Sequence, residues 1–124
     1  MQHLRKGRKF GRVKNQREAM LKTLLGSLIM EEKIETSEAK AKEIKGMIDK
    51  IVNKAKQTQI DSPAGGKKLA AIRDLGNRIP AAAVKKMTGE FLSKFSGRTS
   101  GYTRIIKLSP RQSDSARIAI IEFV

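Results

Sequence analysis

Lys33-Ile34-Glu35-Thr36-Ser37-Glu38-Ala39-Lys40-Ala41-Lys42-Glu43 is where this chain changes from an alternating pattern to a helical one. Lys33–Thr36 is short and alternates, which predicts an edge strand near residues 33–36. Thr36 or Ser37 then offers an N-cap hydroxyl, and Glu38 puts a carboxylate in the first turn, where it suits the helix dipole. The helix so started is predicted to run from Glu38 to Gln57. Ile44, Met47, Ile48, Ile51, Val52 and Ala55 form its apolar face. Lys40, Lys42, Lys45, Lys50, Lys54 and Lys56 point elsewhere and read as a solvated surface, some of which is available to phosphate.

Upstream, Met20, Leu21, Leu24, Leu25, Leu28 and Ile29 recur at helical spacing and predict a first helix over Gln16–Glu31, its stripe belonging to the core. Downstream, residues 57–66 form a polar connection. Gly65-Gly66-Lys67-Lys68 within it is no phosphate loop, because Asp61 stands where the first glycine is needed and Lys68 where Ser or Thr is needed. A third helix is expected over Lys67–Leu75, stopped by Gly76. A fourth is expected over Pro80–Lys94, buried through Ala83, Val84, Met87, Phe91, Leu92 and Phe95 and weakened by Gly89. Two runs, Tyr102–Leu108 and Ala116–Val124, flank a Ser/Pro/Asp-rich turn and read as an antiparallel hairpin. On the first, Tyr102, Arg104, Ile106 and Leu108 share a face; on the second, Arg117, Ala119, Ile121 and Phe123 oppose Ile118, Ile120, Glu122 and Val124. The expected fold class is therefore α+β. About four helices pack on a small antiparallel sheet, made of the C-terminal hairpin and the short strand near residues 33–36.

The first 15 residues stand apart as an extended basic N-terminal arm, with residues 16–124 as one domain. Arg5, Lys6, Arg8, Lys9, Arg12, Lys14 and Arg17 precede the first acid, Glu18. Only Leu4, Phe10 and Val13 are sizeable apolar groups there, too few to offset the entropy of ordering. Alone, the arm is expected to be disordered; phosphates neutralise it and release counterions. The whole chain repeats that imbalance, with 27 Lys and Arg against 12 acids and a net charge of +15 over 124 residues. Such a charge points to a nucleic-acid partner. The candidate RNA-binding residues are His3, Arg5, Lys6, Arg8, Lys9, Phe10, Arg12, Lys14 and Arg17 of the arm, Lys40, and Arg98, Tyr102, Arg104 and Arg111 of the C-terminal region, where Arg117 adds charge. Phe10 is expected to touch RNA or a neighbour. For Tyr102, stacking on a base and ordinary packing stand as equal alternatives.

Catalysis is poorly supplied. The single histidine lies in the arm, no cysteine exists, and the carboxylates suit ion pairs and caps rather than acid–base dyads. No catalytic residue, metal site, cofactor or small-molecule substrate is expected. No apolar run approaches the roughly 20 residues of a membrane helix, and no hydrophobic segment follows the basic start, which reads as mature sequence of a cytoplasmic protein. A nucleoid-type DNA-binding protein is the alternative to an RNA-binding one; an RNA-processing enzyme ranks below both.

The chain resembles the bacterial-type large-subunit ribosomal protein seventeen family over essentially its whole length. The resemblance rests on Met1-x-His3 with the basic arm and Gly11-Arg12, on Ile34–Glu43, on Gly101-Tyr102-Thr103-Arg104-Ile105 through Lys107-Leu108, and on Asp114 with Ile120–Val124. It departs at Gln2 and Leu4, where the family carries arginine, and at Gln16, where it carries histidine. The resemblance implies an α+β structural protein without enzymatic activity. Its implied partners are large-subunit ribosomal RNA and neighbouring large-subunit ribosomal proteins near the polypeptide exit region.

Overall fold

The structure, a computed structural model, describes residues 7–58 and 66–124, with side chains at 7–58 and 69–124. The first helix, α1, spans Lys14–Glu31 and begins two residues before the expected Gln16. Strand β1 (Lys33–Ser37) and helix α2 (Glu38–Gln57) follow where the alternating-to-helical change placed them, and the Ser37 hydroxyl accepts from the Lys40 amide at 3.4 Å as the N-cap. Helix α3 (Gly66–Arg78) and helix α4 (Ala81–Met87) come next, then a 3-10 helix over Glu90–Phe95 and strands β2 (Thr103–Lys107) and β3 (Ile118–Phe123).

The sheet is antiparallel with order β1-β3-β2, so β1 is an edge strand as expected. One sheet face packs on α2. Alternation brings Ala119 and Ile121 of β3 inward, both fully buried, beside Ile105 and Ile34 in the neighbouring strands. The helix answers with Ala41, Ile44, Ile48, Ile51, Val52 and Ala55, every one buried. Met47, expected on that face, is only half-buried. Leu21, Leu25, Leu28 and Ile29 of α1 join the same core, with Met20 and Leu24 at its margin. Phe91, Phe95, Phe123 and Tyr102 close one end, meeting edge-to-face at 5.2–5.5 Å between ring centroids.

Two helices differ from expectation, each for a tertiary reason. Gly76 does not stop α3, which continues to Arg78 because Leu75 and Ile79, four residues apart, are both fully buried. The expected helix Pro80–Lys94 is two pieces. The Thr88 hydroxyl bonds the Val84 and Lys85 carbonyls at the end of α4, and the chain turns at Gly89 before tightening into the 3-10 helix that brings Phe91, Leu92 and Phe95 inward. Tyr102 also leaves the face expected for it. Gly101 adopts φ 66°, which swings the Tyr102 ring into the core while Arg104, Ile106 and Leu108 stay on the outer face.

Carboxylates tie the elements together. Glu32, at φ 64° just past α1, holds Lys94 at 2.8 Å and Lys86 at 3.6 Å. Glu38 holds Lys42 at 2.8 Å and Lys107 of β2 at 3.6 Å, and Glu122 holds Arg104 at 2.7 Å and Lys33 at 3.8 Å. The hydrogen bonds from Lys94, Lys42 and Arg104 keep these three carboxyls below the ordinary carboxylate range. A depressed folded-state pKa gives stability that is complete above the unfolded value and lost as pH falls through the folded one.

Acid titration of the melting temperature is therefore expected to be flat from about pH 7 to about pH 5 and to fall below about pH 4.5. Glu32→Gln, Glu38→Gln and Glu122→Gln together should flatten that fall; a profile unchanged in the triple variant contradicts the assignment. A second test compares two helical glycines. A Cβ at Gly26 would lie 2.7 Å from Cγ and Cδ of Pro80, where α1 meets the start of α4, whereas one at Gly46 meets nothing within 4 Å. Gly26→Ala should cost about 1–3 kcal/mol by overpacking. Gly46→Ala, in mid-helix, should gain up to about 1 kcal/mol. Equal effects in thermal melts would refute the packing described.

Candidate nucleic-acid interface

The described part of the arm is not free of the body. Phe10 and Gly11 both take positive φ, 53° and 63°, and the Arg12 amide donates to the Lys9 carbonyl at 3.2 Å, the signature of a type I′ turn. A phenylalanine at positive φ is strained, and here the ring is half-buried against the hydrophobic core. Phe10 therefore anchors this part of the arm to the body, with part of the ring still exposed. Behind it, the Arg8 amide donates to Glu43 Oε1 at 3.4 Å and its guanidinium lies 3.7 Å from Glu43 Oε2. His3, Arg5 and Lys6 lie outside the described residues.

The start of α1 is electrostatically one-sided. Val13 stands at the N-cap with no side-chain hydrogen bond, the first turn contains no acid, and it carries Lys14 and Arg17. The free amides of a helix start and the positive end of its dipole disfavour those cations. Lys9 and Arg12 are exposed close by in sequence, and neither forms an ion pair among the described residues. The arrangement is unfavourable without an anion and favourable with one.

The second basic segment is the loop before β2. Asp49 of α2 accepts from the Gly101 and Tyr102 amides at 3.4 and 3.3 Å. The Tyr102 hydroxyl donates to Asn53 Oδ1 at 2.5 Å, and Lys56 Nζ donates to that hydroxyl at 2.9 Å and also to the Arg98 carbonyl. Tyr102 is fully buried, so of its two alternatives packing is the one realised. Its role is to fasten a loop whose tip, residues 96–101, is exposed and presents Arg98.

The remaining candidates divide. Arg104 is spoken for by Glu122, and Arg111 lies 3.4 Å from Asp114, although both side chains stay more than half exposed. Lys40 is half-buried on α2 and makes no ion pair among the described residues. Arg117, on the far side of the hairpin in sequence, joins the arm in space: with Arg8 and Lys42 it lines a shallow depression of about 390 Å³ around the first turn of α2. Lys50, which the sequence left as ordinary surface, and Lys22 stand over a groove of about 590 Å³ floored by Leu21, Leu25, Met47 and Ile51. Only their convergence from α1 and α2 reveals it. Among the described residues no group of His, Asp or Glu is clustered to hold a metal ion, and no helix is long and apolar enough to cross a membrane.

The chain is similar to known proteins over most of its length. The family model "Ribosomal protein L17" matches residues 20–124. The chain is 40% identical over 119 residues to the large ribosomal subunit protein bL17 of Staphylococcus carnosus, covering 94% of this chain and 98% of the relative. It is 39% identical to the Staphylococcus aureus protein of the same name, with the same coverage. It is 36% identical to that of Sorangium cellulosum, covering all of this chain and 83% of the relative. The chain belongs to the ribosomal protein L17 family.

Proposed function

We propose that this structural, non-enzymatic ribosomal protein binds large-subunit ribosomal RNA through the arm and the start of α1, with the Arg98 loop and the Arg117 side of the hairpin as further phosphate contacts. The observation that carries this reading is the first turn of α1: uncapped, without a carboxylate, and flanked by Lys9, Arg12, Lys14 and Arg17. Elsewhere many cations are matched by acids of the same chain; here the charge is left for an external anion. Phosphates of folded RNA supply that anion at the spacing of a polymer, and each one neutralised releases counterions. The reading extends to a place near the polypeptide exit region of the cytoplasmic ribosome, among neighbouring large-subunit proteins. Residues 1–15 act in it as the arm and residues 16–124 as the body.

The test keeps Phe10 and its packing and removes charge alone. Lys9→Gln, Arg12→Gln, Lys14→Gln and Arg17→Gln together should leave the melting temperature unlowered and weaken binding to a large-subunit RNA transcript. The slope of log affinity against log salt should become shallower by about 3, because each phosphate contact contributes roughly 0.7–0.9. An unchanged slope refutes the arm as the electrostatic anchor. In the same assay Tyr102→Phe should lower the melting temperature yet leave affinity unchanged, since the hydroxyl fastens the loop from inside. Competition with duplex DNA at matched salt separates the DNA-binding alternative, which requires the duplex to compete equally.

A further inference from the structure

The outer face of the sheet differs from the rest of the molecule. Register places three rows across it: Ser37, Ile118 and Leu108; Glu35, Ile120 and Ile106; Lys33, Glu122 and Arg104. The first two rows are largely aliphatic, with Ile106 42% and Leu108 39% exposed. The third is an ion-pair row, in which Glu122 holds Arg104 at 2.7 Å and Lys33 at 3.8 Å. With Glu35 the face carries two cations and two carboxylates and is neutral, on a chain whose net charge is +15. The opposite face of the sheet is sealed against α2.

We infer that this outer sheet face is a docking surface for a neighbouring protein that presents an aliphatic, charge-poor surface, the Ile106–Ile120 pair being its centre. RNA fits poorly there: isoleucine and leucine offer no ring for a base to stack on, and the face has no net positive charge with which to hold phosphate. A second copy of the chain fits poorly too, because two bodies of such charge repel one another. A different protein fits on both counts. Burying the aliphatic rows is favourable in proportion to the apolar area removed from water, and Glu122 at the edge of the face already holds both Arg104 and Lys33, so covering that row strips no group of its partner. The inference rests on the reading of this chain as a constituent of the large subunit, with the RNA on the arm side.

The test places p-benzoylphenylalanine at position 106 and, in a parallel full-length chain, at position 12. Both are expressed in cells, and the large subunits are purified and irradiated. Position 106 is expected to crosslink to a large-subunit protein, with the crosslinked peptide identified by mass spectrometry, while position 12 crosslinks to RNA. Crosslinking of position 106 to RNA, to a second copy of this chain, or to nothing overturns the inference, and the result at position 12 then shows whether the functional reading stands without it. Absence of both chains from the subunit overturns the two together. Independently, Ile106→Asp should compete about tenfold less well with the parent chain for incorporation, with affinity for the naked RNA transcript within about twofold. Equal incorporation contradicts the docking role.

Discussion

Helix α2 is the constraint on which the other parts depend. Its buried stripe from Ala41 to Ala55 underlies the sheet, faces α1 and receives α3, so no neighbouring element completes its own burial without it. The same helix supplies the polar fastenings on its flanks. Glu43 holds Arg8 of the arm, Asp49 and Asn53 hold Gly101 and Tyr102, Lys56 holds the Arg98 carbonyl, and the Glu38 amide donates to the Arg117 carbonyl at 3.1 Å. Three basic segments far apart in sequence are thereby given fixed positions on one rod. Preorganisation of this kind reduces the ordering cost that a flexible cationic chain meets on binding.

The second organising fact is where the carboxylates go. Glu32, Glu38 and Glu122 sit at junctions between elements and neutralise the cations there, leaving the start of α1 and the tip of the Arg98 loop unmatched. Surface ion pairs of this sort contribute little each to stability. Their larger consequence is a division of the surface into a cationic side and a neutral, aliphatic sheet face. A protein embedded between RNA and other proteins needs both kinds of surface.

Much of this was legible in the sequence, and what was not has identifiable causes. The β1-to-α2 boundary could be read because alternation, a capping serine and a first-turn glutamate are all local and agree. The run of α3 through Gly76 could not, because burial of Ile79 is a tertiary fact that overrides a glycine's preference. The break after Met87 was half visible in Gly89, but the Thr88 hydroxyl bonds that shape it were not. The packing of Phe10 and of Tyr102 was not legible, for one shared reason. Each ring is directed by positive-φ backbone, at Phe10-Gly11 and at Gly101, and no side-chain pattern announces where such a turn will aim the ring. Charge was legible only in total: Arg8 finds Glu43 35 positions away and Arg104 finds Glu122 18 away, so which cations remain free depends on the fold.

Amide hydrogen exchange on the full-length chain, free and bound to a large-subunit RNA transcript, tests the central claim most directly. If α2 holds the basic segments ready for RNA, binding should slow exchange at residues 7–17 and at the loop tip 96–101, with α2 itself already protected in the free protein and the outer strands unaffected. Protection centred on β1, β2 and β3 with none at residues 7–17, or an α2 that becomes protected only in the complex, would contradict it.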